Sequence, residues 1–401
     1  MDGKRLIEKI KLRNILSFGD KGEEIELEPL NIIIGQNASG KSNFIDVIKL
    51  LRSLPQDKGL ATFISKNGGI SEWIWKGRGK KDFTQIELII DGIIKSQYLD
   101  NPPPLLYKIS FAEINFKVSV IGENLQEESK RFEDSEHEIN YFSSFNGLYE
   151  VSPQRDLRRN LSGKLPLGES VFSQVKDFAN FYEVSTLGMI LADFKIYSDI
   201  NTNRSSDLRT PKSPDILDDF LEEDGTNLLH ILNYLKKDET ESKIIENLKK
   251  FYPNTKSYEV RDVGEYLQFY FIEENLSNAI SARRLSDGTL RYLCLLAILC
   301  HPKPPPLICI EEPETGLHPD ILPTIASLMK EASQRTQLIV TTHSDILVSA
   351  FSDMPEAVLV CEKDEDGTHF KRLEADKLKV WLDEYSLGEA WLRGAIGGTR
   401  W

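Results

Sequence analysis

An octapeptide near the N-terminus, Gly35-Gln36-Asn37-Ala38-Ser39-Gly40-Lys41-Ser42, leaves the chain little freedom of fold. It matches GxxxxGK[ST] in full and stands where that pattern has physical meaning. The apolar run Asn31-Ile32-Ile33-Ile34 precedes it, and Phe44, Val47, Ile48 and Leu51 recur at helical spacing after it. Strand, loop and helix follow one another. Glycines let backbone N–H groups turn inward around phosphate at a helix N-terminus, where the helix dipole also favours an anion. Lys41 then supplies a cation for the β- and γ-phosphates, and Ser42 a hydroxyl for Mg²⁺.

Three later segments add chemistry to this loop. Leu307-Ile308-Cys309-Ile310-Glu311-Glu312 is an apolar strand ending in two carboxylates. Successive strand residues point to opposite faces, but a turn at the strand end lets Glu311 reach the metal and Glu312 the attacking water. Leu285-Ser286-Asp287-Gly288-Thr289 opens a helix that continues to Leu299, with a Ser hydroxyl and free N–H groups at its start. One phosphate loop is already present, so a second phosphate clamp requires a second nucleotide. Leu338-Ile339-Val340-Thr341-Thr342-His343-Ser344 is a strand delivering a histidine. It lies one helix, Leu322 to Ser333, beyond the carboxylates, and there His343 suits a sensor of the γ-phosphate.

The remaining pattern sets the organisation. At 401 residues the chain exceeds one ordinary domain. Residues 5 to 34 read as short strands, Gln85 to about Phe116 as antiparallel strands broken by Asn101-Pro102-Pro103-Pro104, and 120 to 225 as a polar insertion. Helical spacing returns at Leu228 to Leu235, followed by strands near Tyr258 to Ile272. The four cysteines, Cys294, Cys300, Cys309 and Cys361, lack metal-ligand spacing and read as reduced packing residues of a cytoplasmic protein. The longest apolar stretch, Tyr292 to Cys300, falls short of the ~20 residues of a membrane helix. A net charge of −14 argues against a surface coated in phosphate-binding cations, although a local basic groove can survive it.

The order of these motifs resembles that of the ABC-type ATPases of the structural-maintenance-of-chromosomes (SMC), RecF and OLD-nuclease class. It is most similar to the AAA-family ATPases of bacterial defence and mobile loci. LSDGTLRYL at 285–293, IEEPETGLHP at 310–319 and TTHS at 341–344 carry the resemblance, with DGTNLLHIL at 224–232 and the tail LGEAWLRGAIGGTRW at 387–401. It implies an α/β P-loop NTPase fold: an ABC/SMC-type head with a mixed sheet, an antiparallel β subdomain and an inserted, partly helical lobe. The expected divisions are 1–100 and 226–365 for the head, 101–225 for the insertion and 366–401 for the tail. The resemblance further implies a head-to-head homodimer with two sandwiched ATP molecules, bound through Arg13, Asn14, Gly35, Asn37, Ala38, Ser39, Gly40, Lys41, Ser42 and Asn43. Ser286 and Gly288 are supplied by the partner protomer, Ser42 and Glu311 take Mg²⁺, and Lys41, Glu312 and His343 serve catalysis. Glu314 to Pro319 form the loop that crosses the dimer interface. Glu311 departs from the usual Asp, and Gln85 and Gln97 both fit the glutamine that links the lobes. No heptad region provides the long arms of chromosome-organising members.

An ATPase head needs an output. The 344–401 segment is too short for the nuclease domain of OLD-type proteins, so a separate effector protein is expected. Two readings follow: the ATP-driven sensor of an anti-phage complex, or a RecF-like repair ATPase that clamps DNA. The second draws on Lys76, Arg78, Lys80 and Lys81 beside Trp73 and Trp75, and on Arg155, Arg158, Arg159 and Lys164. A transporter ATPase is disfavoured by the double-Glu and GLHP sequence.

Overall fold

The structure is a computed structural model that describes residues 3–77, 84–92, 105–127, 139–152, 161–215, 219–236 and 239–398. The first two stretches contain β1 (Lys9–Arg13), β2 (Glu23–Glu26), β3 (Leu30–Gly35), α1 (Lys41–Ser53), α2 (Gly59–Lys66), α3 (Ile70–Trp73) and β4 (Gln85–Gly92). A meander follows: β5 (Leu105–Ile114), β6 (Lys117–Glu127), β7 (Asn140–Phe145), β8 (Leu148–Val151) and β9 (Leu161–Lys164). After it come α4 (Val171–Gln174), α5 (Tyr182–Ala192), β10 (Lys195–Tyr197), α6 (Leu228–Tyr234), α7 (Glu239–Phe251), β11 (Thr255–Val263), β12 (Tyr266–Glu273) and β13 (Ile280–Ser281). The chain continues with α8 (Asp287–Leu299), β14 (Leu307–Glu311), α9 (Leu322–Ala332), β15 (Gln337–Thr341) and α10 (Asp345–Ser349). The last described elements are β16 (Val358–Lys363), β17 (Thr368–Arg372), α11 (Ala375–Leu382) and α12 (Leu387–Leu392).

The central sheet has six strands in the order β10-β14-β15-β3-β16-β17, all parallel except the last pair. Its inner strands are apolar on both faces, as strands covered on both sides must be. Alternate residues feed two cores. Ile32, Ile34, Ile308, Ile310, Leu338 and Val340 face α6, α8 and α9. Ile33, Cys309, Ile339 and Leu359 face α1, α5 and the second sheet.

That second sheet is antiparallel, in the order β2-β1-β4-β5-β6-β7-β8-β9. These pairings cut across the expected division at 101, since β5 to β9 continue the sheet begun by β1 and β4. They also cut across the division at 225, because β10 closes the edge of the central sheet by pairing with β14. The polar middle of the sequence is strand-rich for a physical reason: only one face of an antiparallel sheet need be buried, so its strands carry polar residues on the other. All four cysteines are buried and unpaired. No helix among the described residues is long and apolar enough to cross a membrane.

Candidate functional site

β3 ends at Gly35 and α1 begins at Lys41, so the predicted phosphate loop spans a strand end and a helix start. Gly35 has φ +152°, and a Cβ there would lie 2.2 Å from the Cys361 carbonyl oxygen. Gly40 has φ +117°, and its Cβ would lie 2.3 Å from Thr368 Oγ1. Both glycines are therefore required by backbone shape and by close approach. Ala38 also takes a left-handed backbone, at φ 63°. Gln36, Asn37 and Ala38 are exposed, as is Ser42, while Asn43 is half-buried. The N-cap of α1 is Gly40, with no side-chain cap and no acidic residue in the first turn. Its N–H groups are thus left for an anion.

Lys41 is 7% exposed, and its Nζ donates to the Gly35 and Gln36 carbonyl oxygens at 2.9 Å each. Burial lowers its pKa. The Ser39 hydroxyl is buried without a hydrogen-bond partner among the described residues. A cation hooked back onto its own loop, a buried hydroxyl without a partner and uncapped N–H groups together fit a phosphate chain.

Strand pairing delivers the other two motifs to the same edge. Glu311 pairs with Thr341, and Thr341 with Ile33, so the chain ends after β14, β15 and β3 open side by side. This is the edge where parallel α/β sheets bind ligands. Glu311 Oε1 accepts from Ser198 Oγ at 2.6 Å and lies 3.6 Å from Lys49 Nζ. At Glu312 the backbone is left-handed, φ 46°, and its N–H donates to the Thr341 carbonyl at 2.9 Å. This is the turn that parts the two carboxylates. Glu312 Oε1 lies 4.0 Å from His343 Nε2.

Glu314, two residues on, accepts from Thr342 Oγ1 at 2.7 Å and from the His343 N–H at 2.8 Å. It fixes the backbone that presents the histidine.

Ser286 caps α8, accepting from the Thr289 N–H at 3.1 Å. Neither Ser286 nor Gly288 shares a hydrogen bond with residues 35–42 among the described residues. The loop before α8 is held by Arg209, which is 5% exposed. Its guanidinium donates to the carbonyls of Ala282 (3.1 Å), Leu285 (2.7 Å) and Asn203 (2.9 Å) and pairs with Asp287. A Cβ on Gly288 would lie 2.9 Å from the Gly316 carbonyl oxygen, so the 314–319 loop abuts the α8 start within one chain.

Other expected residues are engaged elsewhere. Arg13 donates to the Asp20 carbonyl (2.7 Å) and pairs with Glu87 (3.3 Å), and Asn14 Nδ2 donates to the Gln85 carbonyl (2.9 Å). It is Thr368 that ties Ser17, three residues after Asn14, to the phosphate loop: its Oγ1 lies 2.7 Å from the Ser17 hydroxyl and donates to the Ser39 carbonyl at 2.7 Å. Lys76 of the first basic cluster pairs with Glu72. Lys164 lies on β9. Gln97, Arg78, Lys80, Lys81, Arg155, Arg158 and Arg159 lie outside the described residues.

Ser198, Lys49, Arg209 and Thr368 went unseen in the sequence. Only Lys49 carried a signal, since it lies on the same face of α1 as Ser42, two turns on.

Residues 30–349 match the family described as "AAA domain, putative AbiEii toxin, Type IV TA system". No curated protein matches the chain. Among solved structures, an Smc head bound to the C-terminal winged-helix domain of ScpA superposes with TM-score 0.60 and 16% identity, covering 93% of this chain and 99% of that one. A Pyrococcus furiosus Smc head with an extended coiled coil, bound to the C-terminal domain of ScpA, gives 0.53 and 14%, covering 94% and 98%. Identities this low speak to fold alone. Because the family match takes in both the GxxxxGK[ST] loop and His343, the chain belongs to this AAA-domain family, and its fold is that of an Smc head.

Proposed function

We propose that the protein binds and hydrolyses ATP with Mg²⁺ in a head-to-head homodimer, and that this cycle is the switch of a bacterial defence complex with a separate effector. The observation that carries the ATPase reading is the convergence of Lys41, Glu311, Glu312 and His343 on the edge where β3, β14 and β15 end. Lys41 moves from the loop carbonyls to the β- and γ-phosphates. Ser42 and Glu311 are oxygen donors of the kind Mg²⁺ prefers and would hold the ion, which would neutralise phosphate charge. Glu312 takes the proton of the attacking water, and His343 orients that water and the γ-phosphate.

Ser286 supports the dimer. It sits at a helix start and has no hydrogen bond to its own phosphate loop among the described residues, which suits a phosphate supplied by a second protomer. The family's description, which names a toxin of toxin–antitoxin type, supports the defence setting. One observation favours DNA clamping. Arg204, Arg283 and Arg284 are exposed beside Ser286 in a cleft of about 810 Å³, and none makes an ion pair among the described residues.

The test is the mass of Glu312→Gln by light scattering, with and without ATP and Mg²⁺. The substitution removes the water's base without adding bulk, so ATP should shift the protein from one protomer to two. A mass that ignores ATP rejects the ATP-gated dimer. A further shift when a DNA duplex is added would favour clamping.

A further inference from the structure

The tail after β17 has no part in the chemistry above, yet it touches two of its loops. Ser386 caps α12 in a reciprocal pair with Glu389. The helix then lies against α10, which begins two residues after His343. A Cβ on Gly388 would be 2.0 Å from the Asp345 carbonyl oxygen, so only glycine lets the helices meet. The Leu387 N–H donates to Ser352 Oγ at 2.8 Å, and Ser386 and Ser349 hydroxyls meet at 3.1 Å. Leu387, Ala390, Trp391 and Ile396 are buried in the core that faces α8 and α9.

Beyond α12 the chain doubles back to the phosphate loop. Gly397 and Gly398 are both left-handed, at φ +82° and +62°. Trp391 Nε1 donates to the Gly398 carbonyl at 2.9 Å, and the Gly398 N–H donates to Glu362 Oε1 at 2.8 Å. Gly398 is buried, and a Cβ on it would lie 3.3 Å from the Gly35 Cα and 2.9 Å from Val360 Cγ1. Gly35, the first residue of the phosphate loop, is therefore flanked by the β16 backbone and by this turn.

We propose that Ser386–Gly398 is a positioning strap: it holds Gly35 so that the phosphate loop keeps its binding shape, and it joins that loop to the helix after His343. The strap rests on the ATPase reading and names chain outside the phosphate-contacting motifs that sets ATP affinity. Loss of its anchoring leaves the loop to be ordered by ATP itself, which weakens binding and leaves the chemical step alone.

The test uses the full chain with Glu362→Ala, Glu362→Gln, Trp391→Phe and Gly398→Ala. ATP titration, steady-state turnover and hydrogen exchange of amides 35–41 without nucleotide are measured for each. Glu362 is exposed, so its variants fold even if Gly398→Ala does not. Glu362→Ala and Trp391→Phe should each raise the ATP Kd and KM about fivefold, as loss of one hydrogen bond does. The kcat should stay within about twofold, and exchange at 35–41 should quicken. Glu362→Gln keeps an acceptor and should recover most of the loss. Variants that melt earlier but bind ATP and exchange as the wild type does would reduce the strap to a structural element. A wild-type protein that binds no ATP would instead reject the ATPase reading.

Discussion

Glu312 holds a backbone that side chains adopt at a cost: its φ of 46° is left-handed, and a bulky residue there stores about 1 kcal/mol or more. The strain has a use, because the turn it makes brings the carboxylate within 4.0 Å of His343 Nε2 while Glu311 stays beside Lys49. Glu312→Gly should therefore fold at least as stably as the wild type while losing about a hundredfold or more in turnover. Thermal melts and phosphate release measure the two effects. A variant that melts lower would mean that Glu312 is not strained. From sequence the paired carboxylates and a turn between them were legible at Glu311-Glu312. The left-handed angle was not, because the neighbours that enforce it, Thr341 and Arg291, come from other elements.

Between elements, Glu123 does the most unusual work. It lies on β6, fully buried, and its carboxylate receives Tyr107 Oη (2.8 Å), Ser170 Oγ (2.5 Å) and the Val171 N–H (2.8 Å), tying the antiparallel sheet to the start of α4. Burial pushes its pKa up from 4.5 to about 7, against the pull of these three hydrogen bonds. A carboxyl whose folded value lies above its unfolded one favours folding at low pH. Its contribution is fully present below pH 4.5 and is lost as the pH rises through about 7. Wild-type stability should fall in that window by up to about 1.4 kcal/mol per pH unit, and Glu123→Gln should stay flat there. Denaturant titrations at several pH values decide it. An identical slope in both proteins would show that Glu123 does not set the pH dependence. Nothing in the sequence around Glu123 distinguished it from other polar residues of a half-exposed strand.

For the whole molecule, the property to test is that Ser286 makes no hydrogen bond with the phosphate loop of its own chain among the described residues. On the proposed dimer reading, Lys41→Ala would lose the phosphate cation and Ser286→Arg would block the partner's site. Each alone should abolish turnover. Mixed, they can form one complete site from the Lys41 of one chain and the Ser286 of the other, so activity should reappear. Mixtures that stay inactive at every ratio would exclude a site shared between protomers. The net charge of −14 sets no such geometry. It still allows Arg204, Arg283 and Arg284 to gather beside Ser286.

The phosphate loop, the paired carboxylates, the α8 cap and the strand-borne histidine could all be read in the sequence, because each is a short run whose chemistry lies in adjacent residues. Helical and strand periodicity placed them on the right kinds of element for the same local reason. Which loops would meet was decided by tertiary structure alone. Parallel pairing of β3, β15 and β14 brings together residues some three hundred positions apart, and no local pattern records that register. The same holds for Ser198 against Glu311, for Arg209 beneath the Ser286 loop and for Gly398 against Gly35. These contacts depend on where the chain returns, and that is fixed by the burial of two apolar faces on one central sheet.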